Sequence, residues 1–108
     1  MEQESPSTYA DKAILTDLLG NSAKVKIISA LLSEDFHHMN VTDIARLADV
    51  HRSTVYDHLD DLQELDVVVQ TREISGSPMY QINQKSDLAQ RLQELKQELE
   101  LATGKSID

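Results

Sequence analysis

Apolar residues recur with helical spacing on both sides of a three-residue turn, Asp49-Val50-His51, and this arrangement constrains the chain more than any other feature. Before the turn, Thr42 is placed to cap a helix of about two turns that buries Ile44, Leu47 and Ala48. After it, residues 52–65 set Val55, Leu59, Leu62 and Leu65 at steps of four, three and three, the most regular helical signal of the central region. Val67, Val68 and Val69 then switch the pattern to β-branched. Tyr80 and Ile82 alternate with polar neighbours beyond a turn at Ser75-Gly76-Ser77-Pro78, which predicts a β-hairpin.

The flanks are also helical. Over residues 8–19, Ala10, Ala13, Ile14 and Leu18 form a narrow stripe that stops at Gly20. Ser22 is suited to cap the next helix, in which Val25, Ile28, Leu31 and Leu32 share a face that Ile27 widens. The polar stretch 33–40, with His37 and His38, reads as a loop. Near the end of the chain Ser86 caps a helix carrying Leu88, Leu92, Leu95 and Leu99, and Gly104 closes it. The chain therefore divides into an N-terminal arm with a short amphipathic helix (1–20), a central domain (21–84) and a C-terminal helix with a tail (85–108). The expected fold is mainly α with a small β-hairpin wing, a winged helix-turn-helix between two flanking helices.

That element order has a physical use. A DNA major groove about 12 Å wide admits one helix, so a reader must expose a helix's first turn while anchoring its apolar stripe on a compact support. The helix opening at Arg52 meets both conditions: Val55, Leu59 and Leu62 point inward, and Arg52, Ser53, Thr54 and Tyr56 are left near its start. Arg52 suits either guanine or phosphate, because a guanidinium fork fits both. Ser53, Thr54 and Tyr56 have a structural reading as well, in capping and wing packing. Lys24, Lys26 and Arg46 are candidates for a phosphate-facing rim.

Charge works against this reading. Nineteen acidic residues against ten basic ones give a net charge of −9, whereas phosphate neutralisation normally supplies most non-specific affinity for DNA. A hydrated carboxylate surface that keeps a protein soluble in a cytoplasm of very high salt would account for it, and so would an ordinary acidic protein whose few cations share one face.

The stretch VTDIARLADVHRSTVYDHLDDLQELDVVVQTRE, continuing to SGSPMYQIN, resembles winged-helix regulators of the arsenic-repressor-like and related archaeal groups, over roughly residues 22–83. The resemblance implies a homodimer on a roughly two-fold symmetric operator in double-stranded DNA, with one recognition helix per half-site. By position it implies that Thr42 touches phosphate, that His51 to Thr54 and Tyr56 face the groove, and that Arg72 with Ser75 to Ser77 makes the wing contacts. Three departures qualify it. Asp49 and Asp66 stand where relatives have Gly in left-handed turns; Asp tolerates that conformation better than most residues. His51 replaces the usual Ser or Thr cap, leaving Ser53 as the substitute. Asp57, Asp60, Asp61 and Glu64 make the recognition segment acidic.

Other functions have weaker support. Without cysteine there is no disulfide, thiolate metal site or thiol nucleophile. The four histidines show no i, i+4 pair, so no metal site and no cofactor is expected. Asp60-Asp61 lacks a neighbouring nucleophile or glycine-rich loop, and no catalytic residue or small-molecule ligand is evident. No apolar run approaches the ~18 residues of a membrane span and no secretory signal begins the chain, so a cytoplasmic protein is expected. The Leu88 to Leu99 seam either covers its own domain or pairs with a copy. Two heptads do not hold a coiled coil alone, but with Ile14 and Leu18 of the N-terminal stripe they would form a dimer interface. A different reading is a protein-interaction module of the transcription machinery, whose acidic recognition face meets a basic partner.

Overall fold

The computed structural model describes residues 14–33 and 37–104. In chain order the elements are α1 (Ile14–Leu19), α2 (Ala23–Ser33), α3 (Val41–Ala48), α4 (Arg52–Glu64), strands β1 (Val68–Ile74) and β2 (Ser77–Ile82), and α5 (Asp87–Thr103). This is the expected winged helix-turn-helix: a three-helix core, α2 to α4, followed by an antiparallel hairpin. The part of the N-terminal stripe at Ala10 and Ala13 lies outside the described residues.

The starts of α2, α3 and α5 are each capped by a side chain. Ser22 Oγ accepts the Val25 N–H at 3.3 Å, and Ser86 Oγ accepts the Ala89 N–H at 3.1 Å, as the sequence indicates. At α3 the expectation fails: the cap is Asn40, whose Oδ1 accepts the Asp43 N–H at 2.8 Å, and Thr42 sits exposed within the first turn. Asn outranks Thr at this position because its carbonyl reaches the orphan donors more readily. Asn40→Ala is expected to cost about 1 kcal/mol of stability by urea titration, and Thr42→Ala less than half of that.

The two aspartates close helices by the same geometry. Asp49 has φ 60° and ψ 52°, and behind it the Val50 N–H bonds the Ala45 carbonyl at 3.0 Å while the Asp49 N–H bonds that of Arg46 at 3.3 Å. At Asp66, φ 63°, the Val67 N–H reaches Leu62 and the Asp66 N–H reaches Gln63, both at 3.0 Å. Both are Schellman closures with Asp in the left-handed position where glycine is unstrained. Asp66→Gly should therefore raise the unfolding free energy by about 0.5–1 kcal/mol, measured by denaturant titration.

The core is one cluster that draws Ile27, Ala30 and Leu31 from α2, Ile44 and Ala48 from α3, Val55, Leu59 and Leu62 from α4, Val67 just before the hairpin, and Val68 and Ile82 within it. Three details differ from the periodicity. Leu65 is 54% exposed, because the helix ends at Glu64 and the left-handed Asp66 turns the chain away. In α2 the inward line runs through Ile27 and Leu31, leaving Val25 and Ile28 half-buried. In α1, Leu15 joins Ile14 in the interior, while Leu18 stays exposed.

The hairpin turns on two residues, Ser75 (φ 52°) and Gly76 (φ 81°), between the paired Ile74 and Ser77. Positive φ at both positions gives the primed turn whose twist matches the strands. Register slips between Gln70 and Arg72, so Thr71 is the extra residue of a β-bulge. The segment expected as plain loop contributes a third strand position: Met39 and Tyr80 exchange two backbone hydrogen bonds of 2.8 Å, with Met39 buried. One methionine among polar neighbours carries no periodic signal. The last helix, α5, lies against α1, with Leu92, Leu95 and Leu99 packed on the core and Leu88 exposed.

Candidate nucleic-acid interface

The helix that could enter a groove is α4, supported from behind by Val55, Leu59 and Leu62, each at most 2% exposed. At 100° per residue, Ser53, Asp57, Asp60 and Glu64 fall on one ridge directly opposite that stripe, and all four are exposed. Arg52 and Tyr56 occupy the flank beside this ridge, both exposed, and Thr54 the opposite flank, half-buried. His51 holds the N-cap position with no side-chain bond; only its carbonyl acts, accepting the Thr54 and Val55 N–H groups at 3.0 and 3.2 Å. Ser53 makes no capping bond in its place.

Three elements converge at the start of α4. A small recess of about 50 Å³ is lined by Thr42 from α3, Arg52 and Tyr56 from α4, and Ser77 and Pro78 from the wing. Thr42, Arg52, Tyr56 and Ser77 thus line one recess although they lie far apart in sequence. Arg52 has no ion-pair partner among the described residues. Ser75 stands at the exposed tip of the hairpin. Behind the recess Tyr80 is buried, and burial first, then Tyr56 and the Asp60 carboxylate, push its phenol above the usual tyrosine range. A raised value means that the folded state favours the neutral phenol, so that stability is complete below the ordinary value of about 10 and declines as the pH rises through the folded one. Tyr80→Phe should make thermal stability less sensitive to alkali in that window, which melting curves from pH 9 upward would show.

The other cations are partly engaged. Lys24 Nζ lies 3.3 Å from Asp61 Oδ2, an exposed pair that joins α2 to the recognition helix and offsets one of its carboxylates. Arg46 Nη2 is 3.1 Å from Asp43 on its own helix. Arg72 Nη2 donates to His38 Nε2 at 2.9 Å. The predicted rim is therefore interleaved with acid rather than uniformly basic. Nothing in the local sequence pairs His38 with Arg72, because the contact depends on how residue 39 joins the hairpin. Asn40 was missed as the cap, although an Asn directly before the apolar-periodic run is an N-cap signal.

The residues proposed for a dimer surface fall into two groups. Ile14 is buried within its own chain and Leu92, Leu95 and Leu99 are half-buried, whereas Leu18 and Leu88 are 54% and 42% exposed. Ile14, Leu18 and Leu99 border a mostly apolar groove between α1 and α5. Among the described residues there is no group of three potential metal ligands, and no helix is long and apolar enough to cross a membrane.

A supported helix with an exposed first turn, a tight preceding turn and a hairpin on its flank define a winged helix-turn-helix of the DNA-binding regulator class. Residues 21–69 match the model of the bacterial regulatory protein arsR family, covering α2 to the start of β1. Among solved structures, the chain is similar in fold to a possible transcriptional regulator from Methanosarcina mazei Go1, with a TM-score of 0.54, 13% identity, and coverage of 96% of this chain and 87% of that one. No curated protein matches the chain significantly.

Proposed function

We propose that the protein is a sequence-specific transcriptional repressor that binds double-stranded DNA as a homodimer and occludes a promoter. The observation that carries this reading is the convergence of Thr42, Arg52, Tyr56 and Ser77 at the exposed first turn of α4, where one helix and one wing can straddle a groove. His51, Arg52, Ser53, Thr54 and Tyr56 face base edges, and Lys24, Thr42, Arg46, Arg72, Ser75 and Ser77 hold the backbone. Two subunits join through α1 and α5, where Leu18 and Leu88 leave apolar surface uncovered and Leu92, Leu95 and Leu99 lie just beneath it. Sedimentation equilibrium should give twice the 12.1 kDa chain mass.

The acidic composition suits a protein working in the salt-rich cytoplasm of an archaeal halophile, where direct hydrogen bonding matters more than long-range attraction. Selection of bound fragments from a genomic DNA pool, run at moderate and at molar salt, tests the function. Recovery of a shared, near-palindromic element supports it, and enrichment of no sequence at either salt overturns it.

One observation favours a second reading. The outward ridge of α4 carries Asp57, Asp60 and Glu64, a surface that repels phosphate and suits a basic protein partner. The double substitution Asp57→Asn with Asp60→Asn separates the two. It should strengthen duplex binding at low salt if the helix meets DNA, and leave it undetectable if the ridge serves a protein.

A further inference from the structure

We propose that His38 is a positioning residue for the wing: its ring, accepting through Nε2, holds the Arg72 guanidinium in place just beyond the bulge of the hairpin. This rests on the reading of Arg72 as a DNA-backbone contact. The bonding pattern fixes the form of the ring. Arg72 Nη2 lies 2.9 Å from His38 Nε2, and a guanidinium has donors only. Nε2 must therefore accept, which places the ring proton on Nδ1. From there it is donated to Thr71 Oγ1 at 2.8 Å, and the Thr71 hydroxyl in turn donates to the Met79 carbonyl at 3.4 Å. Each of the three bonds along Arg72, His38, Thr71 and Met79 then has one donor and one acceptor, and no other tautomer satisfies all three.

The fold explains why the ring stands there. Met39 is bonded twice to Tyr80, so the backbone next to His38 is pinned to the inner strand. The extra residue of the bulge, Thr71, turns its hydroxyl toward the ring while Arg72 follows it. Among the described residues, the side chains bonded to the ring are Thr71 and Arg72, the latter a cation, and Glu73 on β1 and Tyr80 on β2 are the titratable groups nearest to them in strand register or backbone pairing. Among the described residues, no carboxylate bonds either ring nitrogen. A second proton on the ring would convert Nε2 into a donor facing a donor and set two cations against each other, so the hold on Arg72 exists only in the neutral state. A guanidinium already held at the hairpin loses less side-chain freedom on reaching a phosphate than a free one.

Nitrogen-15 NMR of the free protein at pH 8 tests the bond directly, without DNA. The His38 ring is expected as the Nδ1–H tautomer with restricted Arg72 guanidinium resonances; an Nε2–H ring overturns the positioning. In duplex titrations at pH 8, His38→Ala and Arg72→Ala should each weaken binding about 3- to 10-fold, and the double variant should be within about twofold of Arg72→Ala alone. His38→Gln, whose amide oxygen reaches the Nε2 position, should restore binding and retain the ordered guanidinium. Fully additive losses overturn the positioning, whereas an Nδ1–H ring beside an Arg72→Ala variant of undiminished affinity overturns the wing contact and leaves the ring bond intact.

Discussion

Ile44→Ala is expected to lower the unfolding free energy by about 3–4 kcal/mol, within the 2–5 kcal/mol typical of a fully buried isoleucine. Ile44 is fully buried in α3 and belongs to the cluster that holds Val55 and Leu59 of the recognition helix. The loss combines the transfer free energy of the missing methylenes with the cavity left among neighbours that cannot fully collapse. For a domain of this size the total margin is on the order of 5–15 kcal/mol, so the variant should still fold at 25 °C but melt far earlier. Urea titration should show the midpoint falling with little change in slope, and a cost below about 1 kcal/mol would mean that α3 and α4 are not packed as described.

Arg52→Ala is expected to weaken binding to a selected operator by about 1–3 kcal/mol and to relax discrimination against single-base variants of it, while Arg72→Ala weakens all duplexes alike. The difference follows from position. Arg52 stands beside the outward ridge of α4 without an ion-pair partner among the described residues, whereas Arg72 is tied to His38 at the hairpin. In an acidic protein such a cation matters more than usual, because little general attraction exists to make up for its loss. Paired titrations of both variants against matched and mismatched duplexes check this, and unchanged discrimination in Arg52→Ala would assign that guanidinium to phosphate.

The fold was legible where burial is periodic. Val55, Leu59 and Leu62 recur at steps of four and three, and the structure buries all three; the switch to Val67 and Val68 likewise marked the hairpin. The left-handed turns at Asp49 and Asp66 could be anticipated because few residues other than Gly, Asn and Asp accept them. Leu65 misled, since spacing continues through a helix end that backbone geometry, not hydrophobicity, determines. The site was legible only in part. Arg52, Ser53 and Tyr56 follow from the start of one helix, but the approach of Thr42, Ser77 and Pro78 to them, and the bond from His38 to Arg72, are tertiary events that local pattern does not encode.

Chemical-shift mapping with a selected duplex most directly tests whether the first turn of α4 is what this protein presents to DNA. Shifts should concentrate in Arg52, Ser53, Tyr56 and Asp57, in Thr42, and at the wing tip from Ser75 to Ser77, with α5 unmoved. Shifts confined to α1 and α5, with the start of α4 unaffected at saturating duplex, would contradict it.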